Sequence, residues 1–316
     1  MVLPNILGKE FDCINKIIAA LPSGGRIGDD CAVIRCENKS MLVSVDTFVE
    51  DVHFSLKYFK LDEVGQRCCE ASLSDIAAMG GKALYATFSI SVPDHKMIDA
   101  VAMGVKRSLV RHKVKIIGGD TTFSKSIILS FTVIGIPSKT VKGEKPIYRS
   151  GAKPGDSVYT SSYTGLSEGG LYALKNRIKG FNLLKLKHKK PLARLDIASK
   201  ISKYANSMID ISDGLVSELY HLAYASNVSI VIDKIPVHSE LKKLGIASKI
   251  DPKIMAFYGG EDFELLYTTS KKSAQKTIGL CLGKVIKKNG NNCVYFKDAK
   301  GKLASLPPGI GFKHFK

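Results

Sequence analysis

The chain has 316 residues, 45% of them hydrophobic and 24% charged, which suits two soluble globular domains and excludes collagen-like, disulfide-scaffold and disordered classes. Its 47 Lys and Arg against 29 Asp and Glu leave a formal charge of +18, a value that by itself points to nucleic acid or an anionic membrane. The excess is uneven: residues 1–100 sum to −4, residues 101–200 to +15 and residues 201–316 to +7, so the first third leans acidic.

In chain order, apolar residues at helical spacing predict a helix over Glu10–Leu21, stopped by Pro22. Short apolar runs predict strands at Cys31–Ile34, Met41–Val45, Leu84–Val92 and Ile127–Ile136. Helices are expected between them over Asp62–Met79 and Lys96–His112. The stretch Pro137–Asp156 is dense in Pro, Gly, Ser and Lys and marks a boundary between a domain of residues 1–137 and one of residues 138–316. Beyond it come a strand at Ser157–Thr160, a helix at Ser167–Lys175, a strand at Ser207–Ile211 and a helix at Leu215–Ala225. A strand at Val228–Ile232 follows, then a late pair around Phe263–Thr268 and Cys293–Lys297. The fold class is α+β.

The seven cysteines show no zinc-site spacing, and an odd, unpatterned count suits a reducing compartment. The first 25 residues carry acids where a signal peptide has an apolar run, so a cytoplasmic protein with no membrane partner is expected. The lysine-rich run Ile178–Lys203 has one aromatic residue, Phe181, and so lacks stacking platforms for a single strand. It reads as a solvated face, and no nucleic-acid partner is expected.

Acids beside Gly or Ser recur after strand-like runs: Gly28-Asp29-Asp30, Ser44-Val45-Asp46, Ser74-Asp75, Gly118-Gly119-Asp120, Asp210-Ile211-Ser212-Asp213-Gly214 and Gly259-Gly260-Glu261-Asp262-Phe263-Glu264. Any one of these is ordinarily a cap or a turn. Six together suggest carboxylates converging at the end of a sheet, where cations must offset their repulsion. Hard oxygen donors that leave room for waters and phosphates indicate Mg²⁺ with a nucleotide. No Walker loop, dinucleotide fingerprint or protein-kinase catalytic loop is present.

The segments IGDDCAVI (27–34), VSVDTFVEDVHF (43–54), SLSDIAAMGGKA (72–83), IIGGDTT (116–122), YRSGAKPGD (148–156), IDISDGL (209–215), YGGEDFELL (258–266) and GFKHF (311–315) resemble the thiamine-monophosphate kinase family, in its order and over nearly the whole chain. That family lies in the aminoimidazole ribonucleotide synthetase-like superfamily. The resemblance implies two α+β domains, with N-terminal sheets pairing in a homodimer as a barrel-like interface. It implies ATP- and Mg²⁺-dependent phosphorylation of thiamine phosphate to thiamine diphosphate. Several Mg²⁺ ions would be held by Asp30, Asp46, Asp75, Asp120, Asp210 and Asp213, with Ser44 and the backbone of Val45 adjoining. ATP contacts would fall on Gly119, Asp120, Arg149 and Ser212, and acceptor contacts on His53, Glu261 and Phe312. Phe312 stands where the family often has Trp, and Asp51 where Gly is common. The acceptor phosphate, with its second pKa near ~6, is largely dianionic and needs no general base, so no catalytic side chain is expected. The alternatives are a sister activity such as aminoimidazole ribonucleotide synthetase, or a non-catalytic RNA-binding protein using residues 101–203.

Overall fold

The computed structural model describes residues 9–22, 27–37, 39–140, 143–290, 293–298 and 300–308. It begins with α1 (Lys9–Ala20), whose apolar residues recur at helical spacing as expected, and continues through β1 (Ala32–Cys36), β2 (Lys39–Val49), α2 (Leu61–Ala78) and β3 (Gly81–Val92). A short 3₁₀ turn at His95–Met97 leads into α3 (Ile98–His112), β4 (Lys115–Phe123) and β5 (Ile128–Pro137). Strands β1 to β5 form one sheet in the order β1-β2-β5-β3-β4, antiparallel throughout except for the parallel β3–β4 pair.

The inner face of this sheet is built by strict alternation. Leu129, Phe131 and Val133 of β5 point inward and are buried, and the residues between them are half-buried. Helices α2 and α3 lie over that face and pack closely. A Cβ on Gly104 would stand 1.9 Å from the Asp62 carbonyl oxygen, so only glycine permits this approach.

After a two-strand ribbon, β6 (Lys139–Thr140) with β7 (Gly143–Glu144), the chain enters a second sheet. Its strands are β8 (Ser157–Thr160), β9 (Ala205–Asp210), β10 (Val228–Ile232), β11 (Leu265–Thr269), β12 (Leu280–Lys287), β13 (Val294–Lys297) and β14 (Leu303–Ser305). They run in the order β14-β13-β10-β12-β8-β11-β9. Between them stand α4 (Leu166–Lys175), α5 (Asn182–Lys189), α6 (Leu195–Ile201), α7 (Leu215–Ser226), α8 (Ser239–Ser248) and α9 (Pro252–Tyr258). Helix α7 supplies Leu215, Leu219 and Leu222 to a core with Ile209, Ile230 and Val285. Ala77 and Ala78 at the end of α2 share a core with Met208, Leu265 and Tyr267 of the second sheet. Helix α2 is therefore packed on both sheets, which is why 14 of its 18 residues are buried.

Both late strands form, at separate places in the sheet: β11 lies between β8 and β9, and β13 between β14 and β10. Two expectations are corrected. Gly118-Gly119-Asp120 does not end a strand but lies within β4, where parallel pairing with β3 overrides the turn tendency of a double glycine. The lysine-rich run is not one solvated face. It forms α5 and α6, and Lys189 pairs with Glu63 at 2.8 Å across to α2.

Candidate active site

Asp30, Asp75 and Asp210 bring carboxylate oxygens within 4.8 Å of one another. They do not come from the ends of neighbouring strands, as the sequence pattern suggested. Asp30 stands in the bend before β1, Asp75 in the last turn of α2, and Asp210 at the end of β9 in the other sheet. Asp46 approaches from inside β2, its strand position opposite Phe131 facing α2.

Local chemistry fixes each group. The Ser44 hydroxyl donates to Asp75 Oδ2, and the Ser74 hydroxyl donates to Asp210 Oδ2 at 2.6 Å. Arg149 lies between the two sheets in sequence. Its Nη2 donates to Asp30 Oδ1 at 2.7 Å, and its backbone N–H donates to Asp29 Oδ1 at 2.7 Å. The other oxygen of Asp30, Oδ2, is buried and has no hydrogen-bond partner among the described residues.

The electrostatics are those of crowded carboxylates. Burial pushes all four acids up. For Asp75 the charges of Asp46, Asp210 and Asp30 add to burial, and its carboxyl stands well above the usual range. Asp210 is pushed up to about 7 by burial and Asp30, against hydrogen bonding from Ser74 and the charge of Arg149. Asp30 is raised by burial against Arg149, and Asp46 is raised by burial. Burial opposes the charge on Arg149, but Asp30 more than offsets it, so the guanidinium stays protonated. One cation among four acids leaves the site short of positive charge, and Asp30 Oδ2 is an acceptor without a donor. An all-oxygen, carboxylate-rich set with that deficit fits Mg²⁺.

A cavity of about 480 Å³ opens beside these acids and is lined also by Val45, His53, Ser212, Asp213 and Glu261. The turns carrying Ser212 and Glu261 are pressed together. Glu261 N–H donates to the Ser212 carbonyl at 2.6 Å, and a Cβ on Gly260 would stand 2.5 Å from that same oxygen. Glu261 itself has φ of 63° and Phe263 has φ of 50°, left-handed values that non-glycine residues rarely adopt.

His53 and Glu261 are shared with a second cavity of about 360 Å³, which adds Asp51, Tyr58 and His188. The three acids of the 259–264 segment take different directions. Glu261 faces these cavities, where the guanidinium of Arg67 pairs with its Oε1 and His188 Nδ1 lies 3.8 Å from its Oε2. Asp262 turns to the start of α4 and accepts the N–H groups of Gly165 and Ser167. Glu264 accepts the Ser161 hydroxyl and lies 3.1 Å from Arg194 Nη1.

The structure thus gathers Asp30, Ser44, Val45, Asp46, Asp75, Arg149, Asp210, Ser212, Asp213, His53 and Glu261 about one connected space. Gly119 and Asp120 are elsewhere. Strand register sets Asp120 opposite Ser89, then Ser130, then Thr47. Asp120 is thus three strand spacings, about 14 Å, from β2 and exposed at an edge. Phe312 lies outside the described residues.

Sequence reasoning passed over Arg67 and His188. Arg67, Ala71 and Asp75 recur every four residues on α2, so one stripe of this helix carries Arg67 to Glu261 and Asp75 to the acids. That spacing was a legible signal. His188, in the lysine-rich run, is held neutral by burial and by the charge of Arg67. Its position 121 residues from Arg67 in sequence left no local mark.

Residues 28–137 match the family described as AIR synthase related protein, N-terminal domain. The chain is 36% identical over 303 residues to the thiamine-monophosphate kinase of Pyrococcus horikoshii, covering 92% of this chain and 91% of that one. It is 36% identical over 272 residues to the thiamine-monophosphate kinase of Aquifex aeolicus, covering 83% and 86%. AaThiL complexed with AMPPCP and TMP is similar over 100% of this chain and 99% of that one, with a TM-score of 0.86 and 31% identity. The hydrogenase maturation protein HypE of E. coli, at 14% identity and a TM-score of 0.68 over 85% and 86%, shares the fold.

Proposed function

The chain belongs to the thiamine-monophosphate kinase family, and from that premise we propose that it transfers the γ-phosphoryl group of ATP to thiamine phosphate, giving thiamine diphosphate and ADP. The observation that carries this reading is the joining of an acid cluster to a second cavity through His53 and Glu261. A phosphate of the acceptor can reach the cluster while its organic body occupies the neighbouring space.

The cluster residues Asp30, Asp46, Asp75 and Asp210, with Ser44, Val45 and Asp213 adjoining, would hold Mg²⁺. When bound, the metal supplies shielding between two polyanions that must meet in line. Arg149 is fixed by Asp29 and Asp30 at the rim and directs its charge to the nucleotide phosphates, with Ser212 beside it. An oxygen of the acceptor phosphate attacks the γ-phosphorus as the bond to the bridging β-oxygen breaks. No side chain takes a proton, because the attacking oxygen is already ionised. His53 and Glu261 orient the acceptor, and Arg67 holds the Glu261 carboxylate by an ion pair.

Gly119 and Asp120 enter this scheme through a second copy of the chain. Support comes from the first sheet: Val45 on the inner strand β2 is 67% exposed, and Ile117 and Phe123 on β4, an edge strand among the described residues, are 56% and 77% exposed. Pairing two such sheets in a homodimer would cover it and carry Asp120 of one protomer towards the acids of the other. We assign the first sheet to a domain of residues 1–137 and the second to one of residues 138–316. No described helix is long and apolar enough to cross a membrane.

Product analysis after incubation with Mg-ATP and thiamine phosphate tests the proposal. Formation of thiamine diphosphate and ADP in equal amounts is expected. Turnover of the formylglycinamidine substrate of the synthetase branch alone would overturn it.

A further inference from the structure

A third cavity, about 440 Å³, shares Leu171, Lys175 and Glu261 with the one that contains His53 and Asp51. Its wall is apolar and aromatic, with Ile254, Met255 and Tyr258, and beside the shared Glu261, whose carboxylate pairs with Arg67, it holds a second carboxyl, that of Glu168 on α4. This carboxyl accepts no hydrogen bond from any described residue and pairs with no cation at ion-pair distance. Burial raises its pKa and Glu261 adds to the effect, while Lys175 opposes it. An acid in the first turn of a helix ordinarily serves the helix dipole. Here that need is already met, because Asp262 accepts the N–H groups of Gly165 and Ser167. Glu168 is thus a half-buried polar group whose open side is a cavity rather than solvent or a neighbour.

We propose that Glu168 is a specificity-determining residue that pairs with the aminopyrimidine ring of the acceptor, seated against Tyr258. The inference rests on the reading of thiamine phosphate as acceptor. An aminopyrimidine edge sets a ring-nitrogen acceptor beside an N–H donor. With one proton taken up between the ring nitrogen and the carboxyl, this edge and Glu168 meet through two parallel hydrogen bonds. Glu261, common to all three cavities, then stands at the junction between the phosphate end and the ring end of the acceptor. A site built to hydrogen-bond an edge rejects molecules lacking it, because its own polar group is left unpaired.

The test compares thiamine phosphate with the truncated acceptor 3,4-dimethyl-5-(2-phosphooxyethyl)thiazolium, which keeps the cation and the phosphate but has methyl in place of the aminopyrimidinylmethyl group. The wild-type enzyme should favour thiamine phosphate by about tenfold or more in kcat/KM. Glu168→Leu should bring the two acceptors within about threefold of each other. Glu168→Gln, whose amide presents the same donor–acceptor pair, should keep most of the preference. A preference retained in Glu168→Leu, or lost in Glu168→Gln, would overturn the pairing. Should the leucine variant fail to fold, the wild-type enzyme alone decides, since equal use of both acceptors would also overturn it. Direct titration of the wild-type protein with thiamine phosphate separates the two levels of inference. Binding unchanged by Glu168→Leu counts against the pairing, whereas no binding and no turnover in the wild type counts against the acceptor itself.

Discussion

Ser74 on α2 donates its hydroxyl to Asp210 at the end of β9, across 136 residues of sequence and from one sheet to the other. The adjacent residue, Asp75, receives the hydroxyl of Ser44 from β2. Two consecutive positions on one helix therefore hold acids and hydroxyls of both sheets in register.

Burial and the charges of Asp46, Asp210 and Asp30 all oppose ionisation of Asp75, and its neutral isostere removes that repulsion without changing shape. Asp75→Asn should lower kcat/KM by roughly 10²–10³-fold. The same change should leave the metal-free protein at least as stable, with a thermal midpoint raised by about 2–4 °C if it relieves about 1 kcal/mol. Scanning calorimetry without Mg²⁺, beside a steady-state assay, measures both. A fall in midpoint would show that the charge is structural.

Asp210 is pushed up to about 7 in the folded protein against an ordinary value of 3.8. The folded state therefore binds more protons than the unfolded one between those values. The stability this proton contributes is complete below pH ~4 and is lost as the pH rises through about 7. The midpoint of metal-free wild type, relative to Asp210→Asn, should decline over that window. Saturating Mg²⁺ should flatten the difference, since a bound cation removes the penalty on the ionised form.

If Asp120 reaches the acids of a second copy, Asp75→Asn and Asp120→Asn are defects in complementary halves of one site. Each variant alone should be inactive. Mixed and reassembled, half the dimers are hybrid and each hybrid has one intact site, so roughly a quarter of wild-type activity returns. No recovery in a preparation shown to contain hybrids would place Asp120 outside the site.

The three acids of the 259–264 segment should separate cleanly. Glu261→Gln should raise KM for thiamine phosphate by about tenfold and also lower stability, because Arg67, 3% exposed, loses its counter-charge. Glu264→Gln should cost about 2–3 kcal/mol through the partly exposed Arg194 and leave KM unchanged. Asp262→Asn should cost about 1 kcal/mol as a weakened cap of α4. Urea melts paired with KM determinations distinguish the three.

These roles show how far the sequence could be read. Helical spacing placed α2 and α3, and an apolar run placed β5, because both patterns are local. The acids were legible as a set because each stands beside small residues, which repeat visibly along the chain. Their route to one another was not, because it depends on the predicted helix α2 lying between two sheets, which no local pattern shows. Arg67 escaped notice for the same reason, since its partner Glu261 lies 194 positions further along. The run before Gly118-Gly119-Asp120 read as ending there, because the parallel pairing to β3 that carries β4 on to Phe123 is a non-local effect that a glycine pair conceals.

Helix α2 has one further consequence. Ser74 grips the second sheet while Asp75 is gripped by the first, so the spacing of the acids is also a measure of how the two sheets sit on each other. Any slip between the sheets must open the cluster, and any cation drawn into the cluster must pull the sheets together. Metal affinity and the cohesion of the molecule are then one thermodynamic quantity seen from two sides, and each can be read by titrating the other.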